Sequence, residues 1–238
     1  MTLGADGRMP RYYALIPAAG VGSRMQSATP KQYLPLRGKP MLAHAVAALA
    51  AVDAIEHVFV VVSAEDGYVD GLALQDSRVS VLRVGGATRH ESVQNGLRAI
   101  RGQCADADWI LVHDAARPGL TPALVASLME AVGDDEVGGL LALPVADTMK
   151  QSDASHRVCA TIPRAGLWAA QTPQMFRCGM LADALRSAQE SATVVTDEAS
   201  AVEALGLQPL LVEGSLRNMK VTLPEDAALV ELFLGMQQ

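Results

Sequence analysis

The sequence has few of the features that would place it in a membrane, outside the cell or on a nucleic acid. No window approaches the roughly 18 unbroken apolar residues of a membrane-spanning helix. The first eleven residues hold no apolar stretch of the kind a secretory signal needs. There are only three cysteines, Cys104, Cys159 and Cys178. They are odd in number and far apart, so neither a disulfide framework nor a zinc cluster is expected. That usage fits a reducing compartment, and a cytoplasmic location is expected. None of His44, His57, His90 or His156 has a metal-ligand spacing. Lysine is scarce: Lys31, Lys39, Lys150 and Lys220 stand against fifteen arginines. The net charge is −7, whereas non-specific binding to a nucleic-acid backbone wants the opposite sign. Nucleic acid is not an expected partner, nor is a membrane, and a polyanionic ligand must be met by a local basic site.

What the chain does have is a core. Half of its 238 residues are hydrophobic and 19% are charged, an ordinary globular composition that excludes intrinsic disorder. No internal repeat, low-complexity tract or flexible linker breaks it, so a single domain over 1–238 is expected. Residues 1–11 are expected to be a disordered tail.

Apolar periodicity gives an alternating pattern. Tyr12 to Ile16, His57 to Val62, Val79 to Val84, Trp109 to Val112 and Val137 to Val145 read as strands. Leu42, Ala45, Val46, Leu49 and Val52 mark a helix after Pro40, and Val93, Leu97 and Ile100 mark another. Thr121-Pro122 reads as an N-cap with proline at the first helical position. Helices follow near 179–190 and 197–205, the latter with Thr196 as its N-cap, then a strand at 208–212 and a helix after Pro224. Strands alternating with helices predict an α/β fold with a mostly parallel sheet, whose ligands bind at the carboxyl ends of the strands. Residues 145–165 break the pattern: two short runs flank a polar turn, Gln151 to His156. This predicts a hairpin, and a lone two-stranded hairpin needs a surface to lie on.

The strand ends carry the unusual residues. Pro17 to Arg24 is a small-residue loop in which Gly20 and Gly22 let backbone N–H groups approach phosphate oxygens. Two cations follow, Arg24 and Lys31. This is not a Walker A loop, because no Gly-Lys-Ser/Thr follows, and a dinucleotide fingerprint would want a glycine at Met25. Gly85-Gly86 closes another strand, and His113-Asp114 a third, with Arg117 three residues on.

The span P-A-A-G-V-G-S-R-M-Q-S-A-T-P-K-Q-Y at 17–33 resembles the nucleotide-binding signature of the nucleotidyltransferases that build sugar nucleotides. Within that superfamily it most resembles the 2-C-methyl-D-erythritol 4-phosphate cytidylyltransferase family. G-G-A-T-R-H-E-S-V at 85–93, V-H-D-A-A-R-P at 112–118, D-T-M-K at 147–150, Q-T-P-Q at 171–174, T-D-E-A-S at 196–200 and N-M-K-V-T-L-P-E-D at 218–226 continue the likeness. The blocks keep the family's order across nearly the whole chain.

The resemblance implies a Rossmann-like, mostly parallel sheet flanked by helices, with a protruding β-hairpin arm at about 145–165 that reaches into the other subunit of a homodimer. It implies transfer of CMP from CTP to a sugar-alcohol phosphate, 2-C-methyl-D-erythritol 4-phosphate, giving 4-diphosphocytidyl-2-C-methyl-D-erythritol and pyrophosphate, with Mg²⁺ or another divalent cation as cofactor. Ribitol 5-phosphate is the competing acceptor, and a nucleotide-binding module without catalysis is the remote alternative. By resemblance, Arg24, Lys31, Arg164 and Lys220 are the catalytic cations. Ala18, Ala19, Gly20, Gly22, Gly85, Gly86, Arg89 and Ser92 meet the nucleotide. Asp114, Arg117, Thr148, Arg164, Thr172, Thr196 and Lys220 meet the acceptor, and Asp114 lies near the metal.

Other roles compete at several of these positions. Arg89 and Ser92 also open a helix, Asp114 is placed for an ion pair with Arg117, and Thr196 is placed to cap. His113 is expected to pack at its strand end and not to act as a base. Ala87 stands where some relatives carry an acidic side chain.

Overall fold

A computed structural model describes residues 8–20, 29–72, 74 and 76–236. In chain order the first half runs β1 (Tyr12–Pro17), β2 (Pro35–Leu36), β3 (Lys39–Pro40), α1 (Met41–Ala50), β4 (Ile55–Val61), β5 (Val79–Leu82), α2 (Arg89–Ala99), β6 (Trp109–Val112) and α3 (Pro122–Val132). The second half runs β7 (Gly138–Pro144), β8 (Met149–Ser152), β9 (Val158–Ile162), β10 (Trp168–Arg177), α4 (Cys178–Glu190), α5 (Glu198–Glu203), β11 (Leu210–Glu213) and α6 (Pro224–Gly235).

Seven strands form the central sheet in the order β11-β7-β10-β6-β1-β4-β5. β1 pairs in parallel with both β4 and β6, so the strand order reverses between β1 and β6. A crevice at the carboxyl ends of such a pair is where open α/β sheets bind ligands. β1 reads Tyr-Tyr-Ala-Leu-Ile-Pro, and its four middle residues are buried, as a strand covered on both faces requires. Ala14 and Ile16 face the layer that holds α1 and α3. Tyr13 and Leu15 face the layer that holds α2, α4 and α5. Helix α2 lies unusually close to the sheet, because a side chain at Gly96 would strike Leu15 and Val61 at 2.8 Å.

Helix starts follow local chemistry. Thr88 and Glu91 form a capping box at the start of α2, and Thr121 accepts from the Leu124 N–H at the start of α3, with Pro122 next. At α5 the cap is Asp197 and not the expected Thr196: Asp197 Oδ1 accepts from the Ser200 N–H at 2.9 Å. The acidic group is the better acceptor near a helix N-terminus.

The sequence pattern misses β10. This ten-residue strand runs antiparallel between β6 and β7, in the middle of the sheet. Its Gln-Thr-Pro-Gln stretch breaks the apolar run, and proline argues against a central strand. The register shifts between Ala170 and Gln174, across Pro173, so the ladder is interrupted where proline has no N–H to give. Residues 8–11, expected to belong to a tail, are tied down instead. Arg8 Nη2 lies 2.7 Å from Asp108 Oδ2, and the Arg11 N–H donates to Asp108 Oδ1 at 2.9 Å. Residues 1–7 lie outside the described residues.

The 145–165 segment does form the expected hairpin. β8 and β9 pair antiparallel as a two-stranded sheet of their own. Every residue of β8 is exposed, and Val158 of β9 is 63% exposed. Among the described residues, no helix is long and apolar enough to cross a membrane.

Candidate active site

The carboxyl ends of β1 and β6, the loop after β5 and the start of α2 enclose a cleft of about 230 Å³. Ala18, Ala19 and Gly20 form one wall, Gly86, Arg89 and Ser92 another, and Lys31, Asp114 and Lys220 bring the charge. A larger, mostly apolar groove of about 1080 Å³ runs beside α1. It contains none of the motif residues that carry charge or approach phosphate, so the smaller cleft is the candidate site.

Backbone contacts set the shape of the cleft. The Ala18 N–H donates to the Val61 carbonyl at 2.7 Å, and the Gly85 N–H to the Val62 carbonyl at 2.8 Å. These bonds bring the loop after β1 and the loop after β5 side by side. A Cβ on Gly85 would collide with Ala19, so glycine is required for the approach. Ser92 Oγ accepts from the Gly86 N–H at 3.1 Å and donates to the Thr88 carbonyl at 2.9 Å. Gln32 Nε2 donates to the Ala18 carbonyl at 2.7 Å and braces the first loop. Gln32 lines the cleft, and the sequence alone does not single it out. Its place inside the 17–33 block is the available signal.

Charge converges on Asp114. Lys220 Nζ lies 2.9 Å from its Oδ2, Arg89 Nε lies 2.8 Å from its Oδ1, and Arg117 Nε lies 3.7 Å from Oδ2. Burial alone would raise the Asp114 carboxyl. Arg89, Lys220 and Arg117 outweigh that and hold it below the usual carboxylate range. The expected Asp114–Arg117 pair is therefore one edge of a larger cluster. Arg117 is itself fixed from below, donating to the Asn218 carbonyl at 2.8 Å and the Ala170 carbonyl at 3.2 Å. Lys31 Nζ donates to the Val221 carbonyl at 2.8 Å. The two lysines thus arrive from the 31–33 turn and from the segment before α6 at the same cleft.

Beneath Asp114 lies a fully buried imidazole. The Thr172 hydroxyl accepts from the Asp114 N–H at 3.0 Å and donates to His113 Nδ1, 2.9 Å away. The Arg117 carbonyl, 3.2 Å from Nε2, can only accept, so the proton of His113 is assigned to Nε2 and Nδ1 accepts from Thr172. Burial pushes the His113 pKa down to about 4. A neutral, enclosed histidine is a packing and hydrogen-bonding element, as its strand-end position implied. β10 supplies Thr172, so the strand missed in the sequence forms the floor of the site.

Other predicted residues do not gather in the cleft. Thr148 and Thr196 are absent from its lining, and Thr148 is exposed. Arg164 lies beyond the hairpin and donates to the Ala146 carbonyl at the hairpin's base. Arg24 and Gly22 lie outside the described residues. Among the described residues, Asp114 is the one carboxylate that lines the cleft, and no cluster of three or more metal-ligating side chains occurs.

The family model IspD, 2-C-methyl-D-erythritol 4-phosphate cytidylyltransferase, matches residues 12–236. The protein of that name from Dechloromonas aromatica (strain RCB) is 52% identical over 228 residues, covering 95% of this chain and 98% of its own. The one from Chromobacterium violaceum is 55% identical over 222 residues, covering 93% and 97%. Among solved structures, a 4-diphosphocytidyl-2C-methyl-D-erythritol synthase superposes with a TM-score of 0.83 at 43% identity, covering 94% of this chain and 99% of that one. The Thermus thermophilus 2-C-methyl-D-erythritol 4-phosphate cytidylyltransferase gives 0.76 at 32% identity, covering 93% and 98%. Likeness of this degree over residues 12–236, with the 17–33, 85–93, 112–118 and 218–226 blocks meeting at one cleft, makes this chain a member of the 2-C-methyl-D-erythritol 4-phosphate cytidylyltransferase family.

Proposed function

We propose that the chain transfers the cytidylyl group of CTP to 2-C-methyl-D-erythritol 4-phosphate in the cleft around Asp114. This gives 4-diphosphocytidyl-2-C-methyl-D-erythritol and pyrophosphate, a step in isoprenoid precursor synthesis. An oxygen of the acceptor's phosphate forms a bond to the α-phosphorus of CTP. The bond from that phosphorus to the bridging oxygen breaks, and pyrophosphate leaves with the electron pair. The observation that carries this reading is identity above 50% to named cytidylyltransferases over more than nine-tenths of both chains.

The residues then take these parts. Charge builds on the equatorial and leaving oxygens of the α-phosphate, so catalysis is mostly positioning and electrostatic stabilisation. Lys31 and Lys220 bring compact positive charge to those oxygens, and Arg24 adds a planar fork. The backbone of Ala18 to Gly20 and of Gly86 holds the nucleotide. Asp114 is an acceptor for substrate hydroxyls, steadied by Arg117 and Thr172. A phosphate monoester is largely a dianion at neutral pH, with a second pKa of about 6, so no general base is needed. That agrees with the neutral, enclosed His113.

The donor set fits a divalent cation that arrives on the nucleotide. Mg²⁺ is commonly held by one or two carboxylates together with substrate phosphates, and Asp114 is the carboxylate present. Bound there, the cation would neutralise phosphate charge.

Thr148 and Arg164 do not line the cleft of their own chain. We place them in a neighbouring site: two copies pair through the 145–165 arm, and each arm brings both residues to its partner's cleft. Met149, Val158, Ile162 and Trp168, all exposed, would be covered in that homodimer. Thr196 is assigned to the acceptor. The whole chain acts as one domain, in the cytoplasm.

The test is pyrophosphate release from CTP and Mg²⁺ with methylerythritol phosphate and ribitol 5-phosphate in parallel. Release with the first acceptor supports the assignment. Release with ribitol 5-phosphate alone overturns the acceptor and keeps the chemistry. Release with neither overturns the transfer.

A further inference from the structure

Glu198 has no part in the reaction as described so far, yet its carboxylate is completely buried. A buried charge must be compensated by close partners. Among the described residues, the cation that does so is Arg89. Arg89 Nη1 donates to Glu198 Oε1 at 2.6 Å, and Nη2 donates to Oε2 at 2.9 Å. The remaining edge of the same guanidinium, Nε–H, donates to Asp114 Oδ1 at 2.8 Å. Arg89 thus divides one rigid set of donors between two carboxylates from different parts of the fold.

Glu198 is not free to follow Arg89 elsewhere. It is the first residue of α5, and that helix end is clamped by β10. Gln174 Oε1 accepts from the Ala199 N–H at 2.8 Å, and Gln174 Nε2 donates to Asp197 Oδ2 at 2.8 Å. The helix N-terminus itself favours a negative charge there. An arginine at the rim of a phosphate-binding cleft has an obvious alternative, which is to turn and grip phosphate oxygens bidentately. That alternative would strip the donor from Asp114 Oδ1.

We propose that Glu198 is a positioning residue for cytidylyl transfer. By occupying both terminal nitrogens of Arg89 it keeps the Arg89 Nε–H on Asp114 and keeps the guanidinium off the triphosphate. Asp114 then presents one fixed face to the acceptor, and the triphosphate is left to the other cations assigned to it. The inference rests on the assignment of Asp114 to the acceptor.

The test uses two variants of the full chain. Glu198→Gln keeps the shape and cannot accept from both nitrogens. Glu198→Asp keeps the charge and loses one methylene of reach. With CTP and methylerythritol phosphate, both should raise the acceptor KM about tenfold or more, the cost expected of a lost charge-assisted hydrogen bond. The kcat should stay within about threefold, and the CTP KM should be unchanged or lower. Arg89→Lys should reproduce the effect, and combining it with Glu198→Gln should add nothing further.

A wild-type acceptor KM in Glu198→Asp would reduce the role to bulk charge and overturn the proposal. A fall in kcat at constant KM, together with a lower Tm, would show a merely structural role and also overturn it. A readout independent of turnover is the Arg89 Nε–H signal in ¹⁵N NMR. It should exchange slowly in the wild type and quickly in Glu198→Gln, and equal protection in both would contradict the proposal. If the wild type transfers nothing while this signal still depends on Glu198, the functional assignment has failed and the Glu198–Arg89 coupling has not.

Discussion

The hydroxyl of Thr172 accepts a hydrogen bond from the backbone N–H of Asp114 at 3.0 Å. The same hydroxyl donates to His113 Nδ1. Two consecutive residues at the end of β6 are therefore read by one side chain on β10. Thr172→Val keeps the volume and leaves both groups buried without a partner. The expected loss is about 1–3 kcal/mol of stability, measured by urea denaturation. Acceptor KM should rise as Asp114 loosens. An unchanged midpoint would mean that the bridge is not formed.

His113 gives stability a pH dependence of defined sign. Its folded pKa is about 4, against about 6.5 in the unfolded chain. Between those values the unfolded state binds the proton and the folded state does not, so stability rises with pH across the window. It should fall by up to about 3 kcal/mol as pH drops from about 6.5 to 4. His113→Gln should flatten that part of the profile, as followed by denaturation at a series of pH values. A profile of equal slope in the variant would show that other groups carry it.

Lys31 is half of the lysine pair at the cleft. Lys31→Ala should cut kcat by roughly 10²–10³-fold, the scale of losing one group that stabilises transition-state charge. The fold should survive, because losing the hydrogen bond to the Val221 carbonyl costs only about 1 kcal/mol. Circular dichroism and steady-state kinetics on the same preparation separate the two effects. An active Lys31→Ala enzyme would remove the assigned role.

The arm can be tested without a structure of the dimer. Lys31→Ala and Arg164→Ala should each be inactive alone. If Arg164 serves its partner's cleft, a mixed dimer holds one intact site and one doubly damaged site. Co-refolding equal amounts should then restore about a quarter of wild-type activity, given random pairing of a two-fold dimer. No recovery, in a sample shown by light scattering to be dimeric, would place Arg164 in its own subunit's site. Val158→Asp should shift the same sample toward monomer.

Much of this architecture was legible in the sequence, because buried parallel strands and capped helices leave local marks. β1, β6, α2 and α3 were visible in continuous apolar runs and in Thr121-Pro122. The hairpin was visible as two runs around a polar turn. β10 was not, because its buried side chains Gln171, Thr172 and Gln174 look like loop residues until their partners across the sheet are known. The same holds at the site. Lys31, Asp114 and Lys220 stood in recognisable blocks. That Arg89 spends its terminal nitrogens on Glu198 depends on where α5 docks, and no local signal carries that.

Cytidylyl transfer is tested most directly by following the phosphorus atoms. The enzyme, CTP, Mg²⁺ and methylerythritol phosphate should give, by ³¹P NMR, two coupled signals of a diphosphate diester together with free pyrophosphate, in equal amounts. CTP and acceptor left unchanged, in the presence of folded enzyme, would contradict the assignment.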